Sequence, residues 1–238
     1  MDTAHKEKRN HMMGLMEQLK RRLSPAPGPE LYTEIELNTL DRYAETAFGS
    51  YETVFHELES PDLHVDLLLI EPTEDRPYYT ILTQGMGAHK MKVPPQMEPY
   101  RIERAEIAVS LPADWNINSG DEADYWPLRW LKMLARMPIR QDTWLGYGHT
   151  IANGAPLADN TNLSGVMLDY AIDRTTGKPA RVKLPSGEEI VFYQMLPLYP
   201  EELRFKQQFD AEALLDRLHA DEHYQIVNPV RPNHCIGL

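Results

Sequence analysis

The sequence predicts an α+β fold: a mostly antiparallel or mixed β-sheet flanked by helices, in a single globular domain. Three observations carry that prediction. HVDLLLIEP at 64–72 and AEIAVSLP at 105–112 are apolar runs of strand length. PLRWLKMLARM at 127–137 instead repeats Leu128, Leu131, Leu134 and Ala135 at helical spacing. The helical patterns stand at the ends and once in the middle, so the strands between them form hairpins more readily than repeated βαβ crossovers.

Taken in order, residues 5–23 place Met12, Met13, Met16, Leu19 and Leu23 on one helical stripe. SPAPGP at 24–29 stops that helix, because its three prolines forbid continuation. Residues 1–29 are therefore read as an N-terminal helix and proline-rich linker, 30–225 as the domain, and 226–238 as a C-terminal tail. A helix follows over 38–48, with Leu40, Tyr43, Ala44 and Ala47 on its apolar face and Gly49 as its cap. Residues 51–58 are β-rich, and 64–72 is a strong strand that sends Val65, Leu67 and Leu69 to one face and Asp66, Leu68 and Ile70 to the other. EDRP turns the chain into YYTILTQGM, its hairpin partner. In the central helix Pro127 is expected at the first turn, where a missing N–H costs nothing. Strands at 163–169 and 188–195, an exposed turn at 175–179, and short helices at 200–209 and 211–219 complete the chain.

Composition narrows the function. There are 24 basic and 36 acidic residues, a formal net charge of −12. Phosphate backbones and anionic membranes repel such a surface, so neither nucleic acid nor membrane is an expected partner, whereas a basic protein is steered towards it. Cys235 is the single cysteine, which rules out an internal disulfide and fits a reducing compartment. The charged N-terminus has no apolar core of signal-peptide length, and the expected location is cytoplasmic.

Catalytic motifs are missing. Gly85-Met86-Gly87 follows a strand, but a proline-rich loop comes next where a phosphate-binding loop needs a helix. His64 and Asp66 share a strand face, yet no CxxC or HExxH accompanies them, and no metal or other cofactor is expected. No GxSxG presents a serine nucleophile. Glu201 and Glu202 sit at a helix start, where they complement the dipole. Trp115, Trp126, Trp130 and Trp144 bracket the central helix as core anchors. In TWLGYGHTIANG, at 143–154, Trp144 and Leu145 are expected to plug the core, Gly146 and Gly148 to let the chain turn, and His149 with Thr150 to hold the turn.

The order of HVDLLLIEP, YYTILTQGM, RAEIAVSLPADW, WPLRWLKMLAR, TWLGYGHTIANG, NLSGVMLD and VFYQMLPLYPEELRFKQ resembles the suppressor-of-fused domain family over about residues 51–219. The chain is similar to the short, single-domain, bacterial-type members. The signature positions are Trp126, Pro127, Trp144, Gly148, Pro197, Tyr199 and Glu202. The resemblance implies a non-enzymatic protein-interaction domain. Its animal namesake restrains a transcription factor in Hedgehog signalling and clamps an extended peptide with the help of a second domain. The bacterial members resemble immunity or antitoxin proteins that neutralise a cognate toxin, often a nuclease, by direct binding. The expected partner is thus a toxin or an extended peptide, plausibly basic, captured by strand addition at a sheet edge. Carried over, the family's binding region suggests Met86, His89, Lys90, Met91, Tyr147, His149 and Asp159; separately from the resemblance, Asp66, Glu71, Glu74 and Asp75 form a candidate acidic rim. Two alternatives stay open: a general peptide-binding or scaffolding regulator, and an enzyme using His149 with Asp66 or Asp159.

Overall fold

The computed structural model describes residues 28–237. The predicted helix at 5–23 and most of the linker lie outside the described residues. What remains is the expected α+β domain, built on one mixed sheet in the order β1-β2-β3-β4-β10-β6-β5, with β9 pairing a further part of β10. These strands are β1 (Thr53–Phe55), β2 (Asp66–Ile70), β3 (Tyr78–Gln84), β4 (Ala105–Pro112), β5 (Thr150–Ala152), β6 (Gly165–Tyr170), β9 (Arg181–Lys183) and β10 (Glu189–Leu198). A separate ribbon pairs β7 (Ile172–Asp173) with β8 (Lys178–Pro179) around the predicted exposed turn. Only β4 and β10 run parallel among the described pairs. They are separated by the whole central part of the chain, the kind of long connection that parallel neighbours require.

Helix α1 (Glu34–Ala47) starts four residues before its predicted position. Thr33 and Glu36 form a capping box: the Glu36 N–H donates to Thr33 Oγ1 (3.3 Å), and the Thr33 N–H donates to Glu36 Oε2 (2.9 Å). Helix α2 (Glu122–Gln141) is likewise longer, capped by Asp121, so Pro127 lies in its interior and not in its first turn. A proline there leaves the carbonyl four residues earlier without its helical donor. That carbonyl belongs to Ala123, and Asn160 Nδ2 donates to it at 3.0 Å from a distant loop. Helices α3 (Pro200–Gln208) and α4 (Ala211–Leu218) match the predicted pair.

Alternation along the strands divides the core. Val65, Leu67 and Leu69 face α2, together with Ile107, Val109, Tyr193 and Met195, and Trp126, Trp130 and Leu131 of the helix fill the space between. Leu68, Ile70, Leu82 and Phe192 face α1, against Leu40, Ala44 and Ala47. Farther along β10 on that second face, Leu196 and Leu198 meet Leu203, Leu214 and Leu215 of the α3–α4 pair. The layers are therefore α2, the sheet, and then α1 beside α3–α4. Among the buried polar side chains is Glu106, on β4, which accepts hydrogen bonds from the Tyr32 hydroxyl, the Thr83 hydroxyl and the N–H groups of Gly85 and Gly87.

Gly85 has φ +138°, and a Cβ there would lie 1.9 Å from the His64 carbonyl oxygen. Gly85→Ala is expected to lower unfolding free energy by roughly 3 kcal/mol, through backbone strain and overpacking together, measured by urea denaturation.

Candidate functional site

Exposed sheet edges carry unpaired backbone groups, and proteins commonly blunt them with charge. β9 is guarded in this way: Arg181 and Lys183 are exposed, and Arg181 is tied to Glu189 (2.8 Å) and to the Tyr100 carbonyl (3.0 Å). β5 is not. From Thr150 to Leu157 the chain reads TIANGAPL, without one charged side chain. Its register with β6 pairs Ile151 with Val166, and the flanking bonds Leu168 N–H to His149 O (3.0 Å) and Asn153 N–H to Ser164 O (2.8 Å) show which residues face inward. By alternation, the N–H and C=O groups of Thr150 and Ala152 point away from the sheet.

The turn before β5 explains how the edge is held. Gly148 has φ +73°, its N–H donates to Leu168 O at 2.7 Å, and a Cβ there would press on Ala211 of α4 at 3.0 Å. Gly146 serves space instead of a left-handed turn, since an added Cβ would sit 2.7 Å from the Trp144 ring. Leu145 is buried as expected, while Trp144 is only half-buried and meets the His149 ring edge-on at 4.1 Å. Burial, and then the nearby Lys206 charge, hold the His149 pKa below its usual value, so the ring is neutral. Its edge-on packing against Trp144 and the bond from its own N–H to the Gly146 carbonyl (3.0 Å) account for its position.

Beside Ala152 opens a groove of about 1050 Å³. Its lining includes Ala152, Ala155 and Pro156 from β5 and the chain just after it, Leu203 of α3, and Arg231 and Ile236 from the end of the chain. Arg231 and Glu202 are both buried and paired through two guanidinium–carboxylate contacts, one of them Nη1 to Oε1 at 2.7 Å. Glu202 also accepts the N–H of Tyr199 (2.9 Å) and of His234 (3.1 Å). The dipole role expected of Glu202 is thus a small part of its work: it anchors residues 231–234 against the start of α3. Sequence reasoning missed Arg231, because nothing near it in the chain announces a partner 29 residues away.

The other predicted residues scatter. Met86 and Met91 are core side chains, 1% and 3% exposed, and present no surface to a partner. They are long, apolar and flexible enough to fill space under the loop, and Met91 Sδ accepts the Leu145 N–H at 3.4 Å. His89 pairs with Glu30 (3.0 Å), which bridges Leu63 ahead of β2, and Lys90 pairs with Glu188 (3.0 Å), at the start of β10. Tyr147 stacks on Tyr170 with centroids 4.7 Å apart, and its hydroxyl meets Glu212 at 3.2 Å. Asp159 is exposed in a neighbouring hollow shared with Pro229 and Val230. Asp66 sits between His56 (2.9 Å) and His64 (3.1 Å), while Glu71, Glu74 and Asp75 lie at the β2–β3 turn, three strands from β5's neighbour β6. No bond joins His149 to Asp66 or Asp159 among the described residues. Of the signature positions, Trp126, Pro127, Gly148, Pro197 and Glu202 are buried, and the Tyr199 hydroxyl donates to the Arg231 carbonyl at 2.6 Å. No group of three or more potential metal ligands occurs among the described residues, and no described helix is long and apolar enough to cross a membrane.

The sequence profile of the suppressor of fused protein (SUFU) matches residues 61–232. Three solved structures share the fold. A chain of the Sufu–Fu complex is 12% identical, with a TM-score of 0.61 over 87% of this chain and 93% of that one. A SUFU homologue from Neisseria gonorrhoeae is 12% identical, with a TM-score of 0.58 over 84% and 97%. Drosophila Suppressor of Fused is 13% identical, with a TM-score of 0.60 over 87% of this chain and 52% of that one. No curated protein sequence matches the chain.

Proposed function

Because the chain belongs to the suppressor of fused family, we propose that it is a non-enzymatic binding domain that captures an extended segment of a protein partner on the β5 edge. The observation that carries this reading is the unguarded edge itself, where the backbone of Thr150 and Ala152 faces outward and Ala152 adjoins an open groove. The structure of the Sufu–Fu complex supports it at the level of fold.

The reading is tested with linear twelve-residue peptides selected from a random phage-displayed library on the purified chain. The selected peptides are then synthesised and titrated against wild type and Ala152→Pro. The Ala152 N–H faces outward, so proline removes a donor from the partner's side and none from the β6 ladder. Binding is expected to weaken at least about tenfold, or 1.4 kcal/mol, with the melting temperature nearly unchanged. Equal affinity for both proteins rejects the edge as the site.

For the partner itself, we propose a cognate toxin with a basic surface, which would make the chain an immunity protein. The net charge of −12 supports this, since it favours encounter with a basic face. A toxin encoded beside this chain's gene should lose its activity when the purified proteins are mixed. An active toxin in that mixture leaves the general peptide-binding regulator as the better account.

A further inference from the structure

The segment after residue 225 does not hang from the domain. Ile226 forms a parallel bridge to Ser110 at the end of β4, and the Val227 N–H donates to Ser110 O at 2.9 Å. Thr161 Oγ1 then donates to the Pro229 carbonyl at 2.6 Å. Arg231 follows, held by Glu202 and donating as well to the Pro197 carbonyl at 2.9 Å. Asn233 Nδ2 donates to Glu201 Oε2 at 2.8 Å, and Cys235 is buried against the α3–α4 pair. Anchoring ends there: Ile236 is 76% exposed, and Gly237 is exposed with φ +84°. Both line the groove beside Ala152. Residues 233–237 also lie beyond the last position matched by the family profile.

An isoleucine three-quarters exposed among the residues lining a groove, directly after a segment anchored through a buried ion pair, is placed to cover something. We propose that residues 233–237 form the second jaw of a clamp, closing over an extended protein segment that β5 holds on its other side. This rests on the edge reading above and adds the identity of the opposite wall. It also specifies the occupant. The charged side chains lining the groove are already paired, Glu201 with Arg204 (2.9 Å) and Arg231 with the buried Glu202 beneath it, so no unpaired charge awaits a ligand ion. Leu203 and Ile236 instead offer apolar surface. The bound segment therefore has an aliphatic side chain at its centre, reaching into the groove, and basic residues in its flanks, where the acidic surface of the protein draws it in.

The test uses the full chain and the same selected, synthesised peptides, measured by fluorescence anisotropy on four proteins: wild type, Ile236→Asp, Ala152→Pro and the control Leu58→Asp. Leu58 is 97% exposed in the loop before β2, on the opposite side of the sheet, so its variant reports the general effect of one added charge. The expected result is that Ile236→Asp weakens binding at least tenfold without lowering the melting temperature, that Leu58→Asp binds like wild type, and that the peptides share one aliphatic position. If Ala152→Pro loses binding while Ile236→Asp keeps it, the edge binds without a jaw and this inference is wrong. An equal loss in Leu58→Asp also overturns it. If neither Ile236→Asp nor Ala152→Pro changes affinity, or if no peptide is selected, the edge reading fails and the jaw fails with it.

Discussion

Arg231→Met lowers the unfolding free energy by about 3–5 kcal/mol, seen as a fall in the urea midpoint, because it strands the Glu202 carboxylate in the interior. Glu202 has no exposed surface, and without the guanidinium it keeps only the N–H groups of Tyr199 and His234 as donors. The double variant Arg231→Met/Glu202→Leu removes the charge along with its partner and should recover most of the loss, since a buried pair is often replaceable by well-packed apolar groups. Recovery would show that the pair's weight lies in mutual compensation. A double variant as unstable as the single one would mean that the hydrogen bonds to the 231–234 segment matter more than the charge.

Glu106→Ala should cost a similar amount, about 3–5 kcal/mol, for a different reason. Four donors converge on this carboxylate: Tyr32 (2.6 Å), Thr83, Gly85 (2.9 Å) and Gly87 (3.1 Å). Removing it leaves buried donors without an acceptor, each costing roughly 1–3 kcal/mol, in part offset by repacking. The loss also depends on pH. Burial pushes the Glu106 carboxyl above its usual range, against the pull of the four donors. The folded state then holds a proton that the unfolded chain releases, so the stability from that proton is complete below the ordinary carboxyl range of about 4.3. It fades as pH rises through the folded value. The difference between wild type and Glu106→Ala, followed by urea unfolding from acid to neutral pH, is therefore expected to be largest in acid and to narrow upward. A gap that widens with pH would show that the donors outweigh burial and that the carboxylate is the preferred form.

The two failures of boundary in the helices have separate causes. The start of α1 is legible in Thr33 and Glu36, which stand at capping-box spacing, but residues 34–37 add only a weak apolar pattern to mark the first turn. The interior position of Pro127 was not legible, because its tolerance depends on Asn160, 37 residues away, donating to the Ala123 carbonyl. The same distance problem hid the groove. Ala152, Leu203 and Ile236 meet only because β6 and β10 pair and the chain then doubles back after α4. The family resemblance puts Met86 and Met91 in a binding loop. Their apolar side chains go inward instead, where they exclude more water than they would on a rim.

Local chemistry was enough to determine the strands at 64–72, 78–86, 105–112, 163–169 and 188–195, the two faces of the first of these, the central helix, the positive-φ glycine at 148, and the acidic composition. These follow from side-chain periodicity and from conformational limits acting within a few residues. Which edge lies open, which residues wall the groove, and which charge Glu202 needs were decided by the tertiary structure alone. An unpaired backbone, a buried carboxylate and its counter-charge are relations between segments far apart in the chain, and no single segment carries them.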